Sequence, residues 1–204
     1  PPVIFVVTAA CVVAAVFAGA RWLRVAQREH YLPVVTRFAL RWWSARPESA
    51  ALAVLGLAGV AGSVAWGWPG LAAAAAQVGP VGLSVTGRTS KLAWTQRLRR
   101  VAGVTAGLFV VACVVGILVE QAVIPAAALM FLPVLIDLSL VALKPVERLI
   151  GAQWVKRAHR KLEAVEPRVV AITGSYGKTT TKGYIAHLAS GSLRTVASPA
   201  SFNN

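Results

Sequence analysis

The chain is poor in the side chains on which most soluble enzymes build their chemistry. Its 204 residues include two cysteines, three histidines and seven acidic residues. Cys11 and Cys113 sit inside apolar runs with no ligand spacing around them, which excludes a disulfide framework or a cysteine-based metal site and suits small packing residues. His30, His159 and His187 stand apart and carry no catalytic pattern. No Ser-His-Asp set, metal constellation or pair of carboxylates can be assembled. Charge itself is scarce: 14% of residues are charged, against about a quarter in soluble domains. What replaces it is apolar, with 57% hydrophobic residues and a mean hydropathy of +0.66. Those values belong to a membrane protein.

Five apolar segments can be drawn, at roughly 3–20, 50–66, 69–86, 101–119 and 122–143, each near the length needed to cross a hydrocarbon core as a helix. The second and third share little sequence, and the third contains Gly79, Pro80 and Gly82, so a tilted or re-entrant pair is an alternative there. The first segment lacks a basic region before it and a small-residue cleavage site after it, and reads as an anchor rather than a signal peptide. The chain starts at Pro1 rather than Met, which leads us to expect further residues beyond both ends.

Basic residues are unevenly placed. The loop from Arg21 to Glu48 holds six Arg, and that from Gly87 to Arg100 holds four Arg and Lys91, whereas the turns near Gly67 and Glu120 hold neither Lys nor Arg. By the positive-inside rule both basic loops face the cytoplasm, and five crossings then put everything after Lys144 inside as well. The expected location is the bacterial cytoplasmic membrane, multi-pass. The net charge of +14 follows mostly from this topology and from contact with anionic membrane lipid. A nucleic-acid partner would need a soluble basic domain with stacking aromatics, and none is expected. Trp22, Tyr31, Trp42, Trp43, Trp66, Trp68 and Trp94 lie near segment ends, as interfacial aromatics do.

Two basic segments read as amphipathic helices. Val34 to Arg46 follows Pro33 and mixes Arg37 and Arg41 with Phe38, Trp42 and Trp43, a pattern for a helix on the membrane surface. Gly151 to Val165 puts Trp154, Ala158, Leu162 and Val165 on one face, with Lys156, Arg157, Arg160 and Lys161 elsewhere. It suits a connector, or a site for an anionic lipid-linked substrate. Asp137 is the only carboxylate inside a predicted span. It would serve either a proton, ion or Arg partner, or a hydrated or paired structural role near Lys144. Pro125 and Pro133 should kink that segment.

Chemistry is concentrated in Arg168 to Lys182, RVVAITGSYGKTTTK. Val169 to Ile172 reads as a short buried parallel strand, and Thr173 to Gly177 as a turn into a helix. Gly174 and Gly177 permit backbone angles closed to other residues and let main-chain N–H groups approach phosphate oxygens. Lys178 can set an ammonium against the β and γ phosphates, and the Thr179 hydroxyl can ligate Mg²⁺. Ser175, Tyr176 and Thr180 complete the loop. The position five before Gly177 is Ile172, so this is a GxxGKT loop and not a full Walker A.

The loop GSYGKTTTK resembles that of the Mur ligases of bacterial cell-wall synthesis, most closely the branch that adds D-alanyl-D-alanine. After a second expected strand at Leu193 to Ala197, the segment Ser198 to Asn204, SPASFNN, is similar to the family's Thr/Ser-Pro-x-x-x-Asn-Asn. The likeness covers residues 168 to 204. The family's downstream Mg²⁺-binding Glu, its His, its modified Lys and its C-terminal amino-acid-binding domain have no counterpart in that stretch, so the fragment is not expected to act alone. Asn203 and Asn204 match family positions near the nucleotide.

The expected architecture is therefore a multi-span α-helical membrane domain (1–147), a basic connector helix (148–167), and the start of an α/β P-loop domain with a parallel sheet (168–204). The resemblance implies an ATP-dependent carboxylate–amine ligase: ATP phosphorylates a substrate carboxylate and an amine attacks the acyl phosphate. ATP and Mg²⁺ are the implied cofactors, with Lys178 catalytic and Gly174 through Thr180 holding the nucleotide. Soluble family members carry a nucleotide-sugar domain where this chain has membrane segments. The acceptor is thus left as a cell-wall precursor or a lipid-linked envelope molecule. Other classes remain: a membrane-anchored P-loop kinase or ATPase regulating polysaccharide export, and a non-enzymatic scaffold or transporter.

Overall fold

The computed structural model describes residues 2–79 and 92–198. Within them the chain forms eight helices: α1 (Pro2–Arg28), α2 (Val35–Ala45), α3 (Pro47–Gly62), α4 (Gly70–Val78), α5 (Gln96–Leu118), α6 (Val123–Met130), α7 (Leu132–Val165) and α8 (Lys178–Ser190). It divides into two compact units, Pro1–Gly151 and Ala152–Asn204, with the boundary inside α7.

In the first unit α1 is the central element, in contact with α2, α4, α5 and α6. Its inward stripe, Ile4, Val7, Cys11, Ala14, Ala18, Trp22 and Val25, is buried at helical spacing. The outward side chains Phe5, Val12, Val13, Val16 and Phe17 are equally apolar yet exposed, which suits hydrocarbon rather than water. α1, with 27 residues, is about 40 Å long, and α5, with 23, about 35 Å. Both are long and apolar enough to cross a membrane, and α6 with α7, bent by 70° between them, forms a third if the pair counts as one span. Phe131 ends α6 and Pro133 follows within the first turn of α7, where its missing amide tolerates the break.

α3 and α4 pair as a short hairpin. With 16 and 9 residues they run only about 24 Å and 14 Å. Glycines allow the close pairing: a Cβ added at Gly59 would meet the Pro69 carbonyl oxygen at 2.7 Å and the Ala73 amide at 2.8 Å. The segment expected at 69–86 is helical as α4 from Gly70 to Val78, and its residues from Pro80 onward lie outside the described part.

Several polar side chains of this unit find partners within it. Thr105 donates to Ser139 at 2.9 Å, and Ser139 donates to the Leu135 carbonyl at 2.7 Å. Arg100 pairs with Glu147 at 2.7 Å, with Arg97 beside it at 3.7 Å. Gln27 exchanges two hydrogen bonds with the Ala93 backbone, at 2.8 and 3.0 Å. Cys11 and Cys113 are free and buried, as packing residues would be.

The expectation of a parallel sheet is overturned. Among the described residues there is no strand. Val169 to Ile172 and Leu193 to Ala197 are irregular, and Val169, Val170 and Val196 are 75%, 66% and 94% exposed. A parallel strand is stabilised by neighbours on both edges and cover on both faces; neither segment has a ladder partner, so the apolar runs stay unpaired. The fold as described is all-helical. No residue of α8 is buried.

Candidate functional site

The second unit carries the loop singled out by the sequence. Thr173 to Gly177 lead directly into α8, which starts at Lys178. Gly174 has φ +148° and Gly177 φ +76°, values that a Cβ strains, so glycine is required at both places. Gly177 is the residue that caps α8, and it offers no side chain to the first amides. The helix ladder begins with the Thr181 amide donating to the Gly177 carbonyl at 2.8 Å. The amides of Lys178, Thr179 and Thr180 lie before it, in the turn where helix donors lack intrahelical acceptors and the dipole is positive.

The Lys178 ammonium donates to the Gly174 carbonyl and so lies across the loop, bringing its charge to the same end of α8 as those amides. Ser175, Tyr176, Thr179 and Thr180 are exposed, Tyr176 at 96%. Lys182, one turn further on, donates to the Ser198 carbonyl at 2.7 Å. Residues 167–204 contain Arg168, Lys178, Lys182 and Arg194 and no Asp or Glu. The loop is therefore a cationic, donor-rich turn with no carboxylate beside it in sequence: suited to an anion, without an acid of its own to act as a base.

Among the described residues no cluster of His, Cys, Asp or Glu could by itself hold a metal ion. Mg²⁺ at a phosphate loop does not need one, since a single hydroxyl, phosphate oxygens and water complete its octahedron. Exposed Thr179, next to Lys178, fits that role. Ser198 is the last described residue of the SPASFNN segment; 199–204, with Asn203 and Asn204, lie outside the described residues.

Asp137 was the other residue that sequence marked. It accepts hydrogen bonds from the Val35 amide at 3.0 Å and the Thr36 amide at 2.8 Å. These are the first two amides of α2, and Val34 before them supplies no side-chain cap. Asp137 is thus the N-cap of a helix some hundred positions away in the chain. Arg21, unmarked by sequence except as a basic loop residue, performs the converse task. Its guanidinium donates to the Gln77 carbonyl at 3.0 Å and the Val78 carbonyl at 2.7 Å, closing the C-terminal end of α4. The signal that could have located it is an Arg at the end of an apolar helix in a chain with a half-length helix to cap.

Comparison with protein-family models, with curated proteins and with solved structures finds no match.

Proposed function

We propose that this chain is a membrane-anchored, ATP-dependent carboxylate–amine ligase of envelope synthesis, resembling the Mur ligases, with Gly174 to Thr180 as its phosphate loop. One observation supports this most: two left-handed glycines bracket a loop that delivers Lys178 and three leading amides to one helix end. Backbone donors, helix dipole and an ammonium converging on one point are the physical requirements for gripping a polyphosphate.

In this reading Lys178 leaves the Gly174 carbonyl for the β and γ phosphates and offsets charge on the transferring phosphoryl group. Thr179 holds Mg²⁺, which supplies Lewis-acid neutralisation of the phosphate oxygens when bound. Ser175, Tyr176 and Thr180 border the phosphates. The acceptor is a cell-wall precursor or a lipid-linked envelope molecule, and the basic residues Lys156, Arg157, Arg160 and Lys161 of α7 lie against anionic lipid. The protein resides in the bacterial cytoplasmic membrane as a multi-pass protein, with the loop in the cytoplasm, consistent with the basic loops at Arg21–Glu48 and before Arg100.

The test is a ligase assay on the full-length protein in membranes, with candidate carboxylate acceptors and amines. ADP formed in proportion to a new amide supports ligation. ADP formed without an amide, with phosphate on a protein or hydroxyl acceptor, would instead indicate a kinase.

A further inference from the structure

The cleft at the end of the helical bundle away from the basic loops has a chemistry that the phosphate loop does not explain. It has a volume of about 180 Å³ and is lined by Val3, Ile4, Ser63, Gly67, Glu120 and Gln121 among others. It opens where α3 ends at Gly62 and α5 ends at Leu118, and where α1 and α6 begin, so helix ends of both signs border it and the charge of the cleft is set by its side chains. Residues 2–7, 62–71 and 115–126 supply its surroundings and contain one ionisable side chain, Glu120. No Lys or Arg in these segments neutralises that carboxylate.

Glu120 also occupies a backbone position that suits another residue. The Glu120 amide donates to the Ile117 carbonyl at 3.2 Å and the Gln121 amide to the Gly116 carbonyl at 2.9 Å. This paired closure of a helix end normally takes glycine at the left-handed position. Here Glu120 holds φ +54°, a conformation that costs a side-chain-bearing residue on the order of 1 kcal/mol. Glycine would close α5 better and would leave the cleft without a charge.

We infer that this cleft binds a small primary ammonium, with the Glu120 carboxylate as counter-ion and the Ser63 hydroxyl and Gln121 side-chain carbonyl as acceptors for its N–H groups. Three donors on a compact cation match a cleft that offers one carboxylate and several neutral oxygens. An ammonium of this kind comes either from a free amine or from an ethanolamine lipid headgroup.

The test titrates ethanolamine into the full-length protein in nanodiscs, read by calorimetry and by the fluorescence of Trp66 and Trp68, which flank Gly67. Two variants accompany the native protein: Glu120→Gln, which keeps size and hydrogen bonding, and Glu120→Gly, which relieves the backbone. The inference predicts saturable binding, about tenfold weaker in Glu120→Gln, and absent in Glu120→Gly while that variant melts a few degrees higher. Equal ethanolamine affinity in phosphatidylethanolamine and phosphatidylcholine discs would assign the site to a free amine. Weaker apparent affinity in the phosphatidylethanolamine discs would assign it to the lipid. Failure of the native protein to bind ethanolamine in either disc, or unchanged affinity in Glu120→Gln, would overturn the inference.

Discussion

Asp137 illustrates how a residue that sequence leaves between a functional and a structural role resolves into a structural one. An acid within an apolar helix must find a partner, and proton relay, ion site and paired structural group were all open on sequence grounds. The two α2 amides at 3.0 and 2.8 Å decide for the last. Position 137 is about one hundred residues from its partners, and no local pattern carries such a contact. Replacing Asp137 by Ala leaves both amides without their acceptor and should lower stability by about 1–2 kcal/mol in thermal or denaturant unfolding. Asp137→Asn keeps one acceptor but turns an NH2 toward the second amide, so it should recover only part of that stability. If Asp137→Ala unfolds as the native protein does, capping is not the role of this carboxylate. The positive φ of Gly174 and Gly177 was legible at this same scale because the demand for glycine there is local.

At the scale of elements, long apolar runs were readable and pairings were not. α1 and α5 follow directly from uninterrupted hydrophobicity; of the two prolines expected to kink the last segment, Pro133 lies beside the 70° bend between α6 and α7, whereas Pro125 lies in the first turn of α6. The strands failed for a physical reason. Apolar runs such as Val169 to Ile172 state a preference for burial, whereas a strand exists only through a neighbour. The α3–α4 hairpin depends on backbone approach, which gives an internal contrast among glycines. Gly59→Ala would drive its Cβ into the backbone of Pro69 and Ala73 at 2.7 and 2.8 Å and should cost about 1–3 kcal/mol. Gly103→Ala on α5, with nothing within 4 Å of the added carbon, should be neutral or stabilising by up to about 1 kcal/mol. Thermal unfolding of the two variants in detergent compares them directly. Arg21→Leu removes the donors that close α4 at Gln77 and Val78 and should destabilise by about 1–2 kcal/mol. Arg21→Lys should rescue only partly, because one ammonium replaces a two-armed fork.

For the molecule as a whole, the division of labour is between an apolar unit, Pro1–Gly151, and a cationic one that begins at Ala152. Composition announced the first unit before any helix was placed, and scarcity of charge was the signal. In the second unit the loop Gly174 to Thr180 is exposed or half-exposed throughout. The central claim is that Gly174 to Thr180 grip a nucleotide, and the direct measurement is ATP binding to the full-length protein in nanodiscs with and without Mg²⁺, beside Lys178→Ala. The account predicts saturable, Mg²⁺-strengthened binding to the native protein, reduced at least tenfold in the variant, with membrane insertion and thermal stability of the bundle unchanged. Equal ATP binding by both proteins, or none by either, would contradict it.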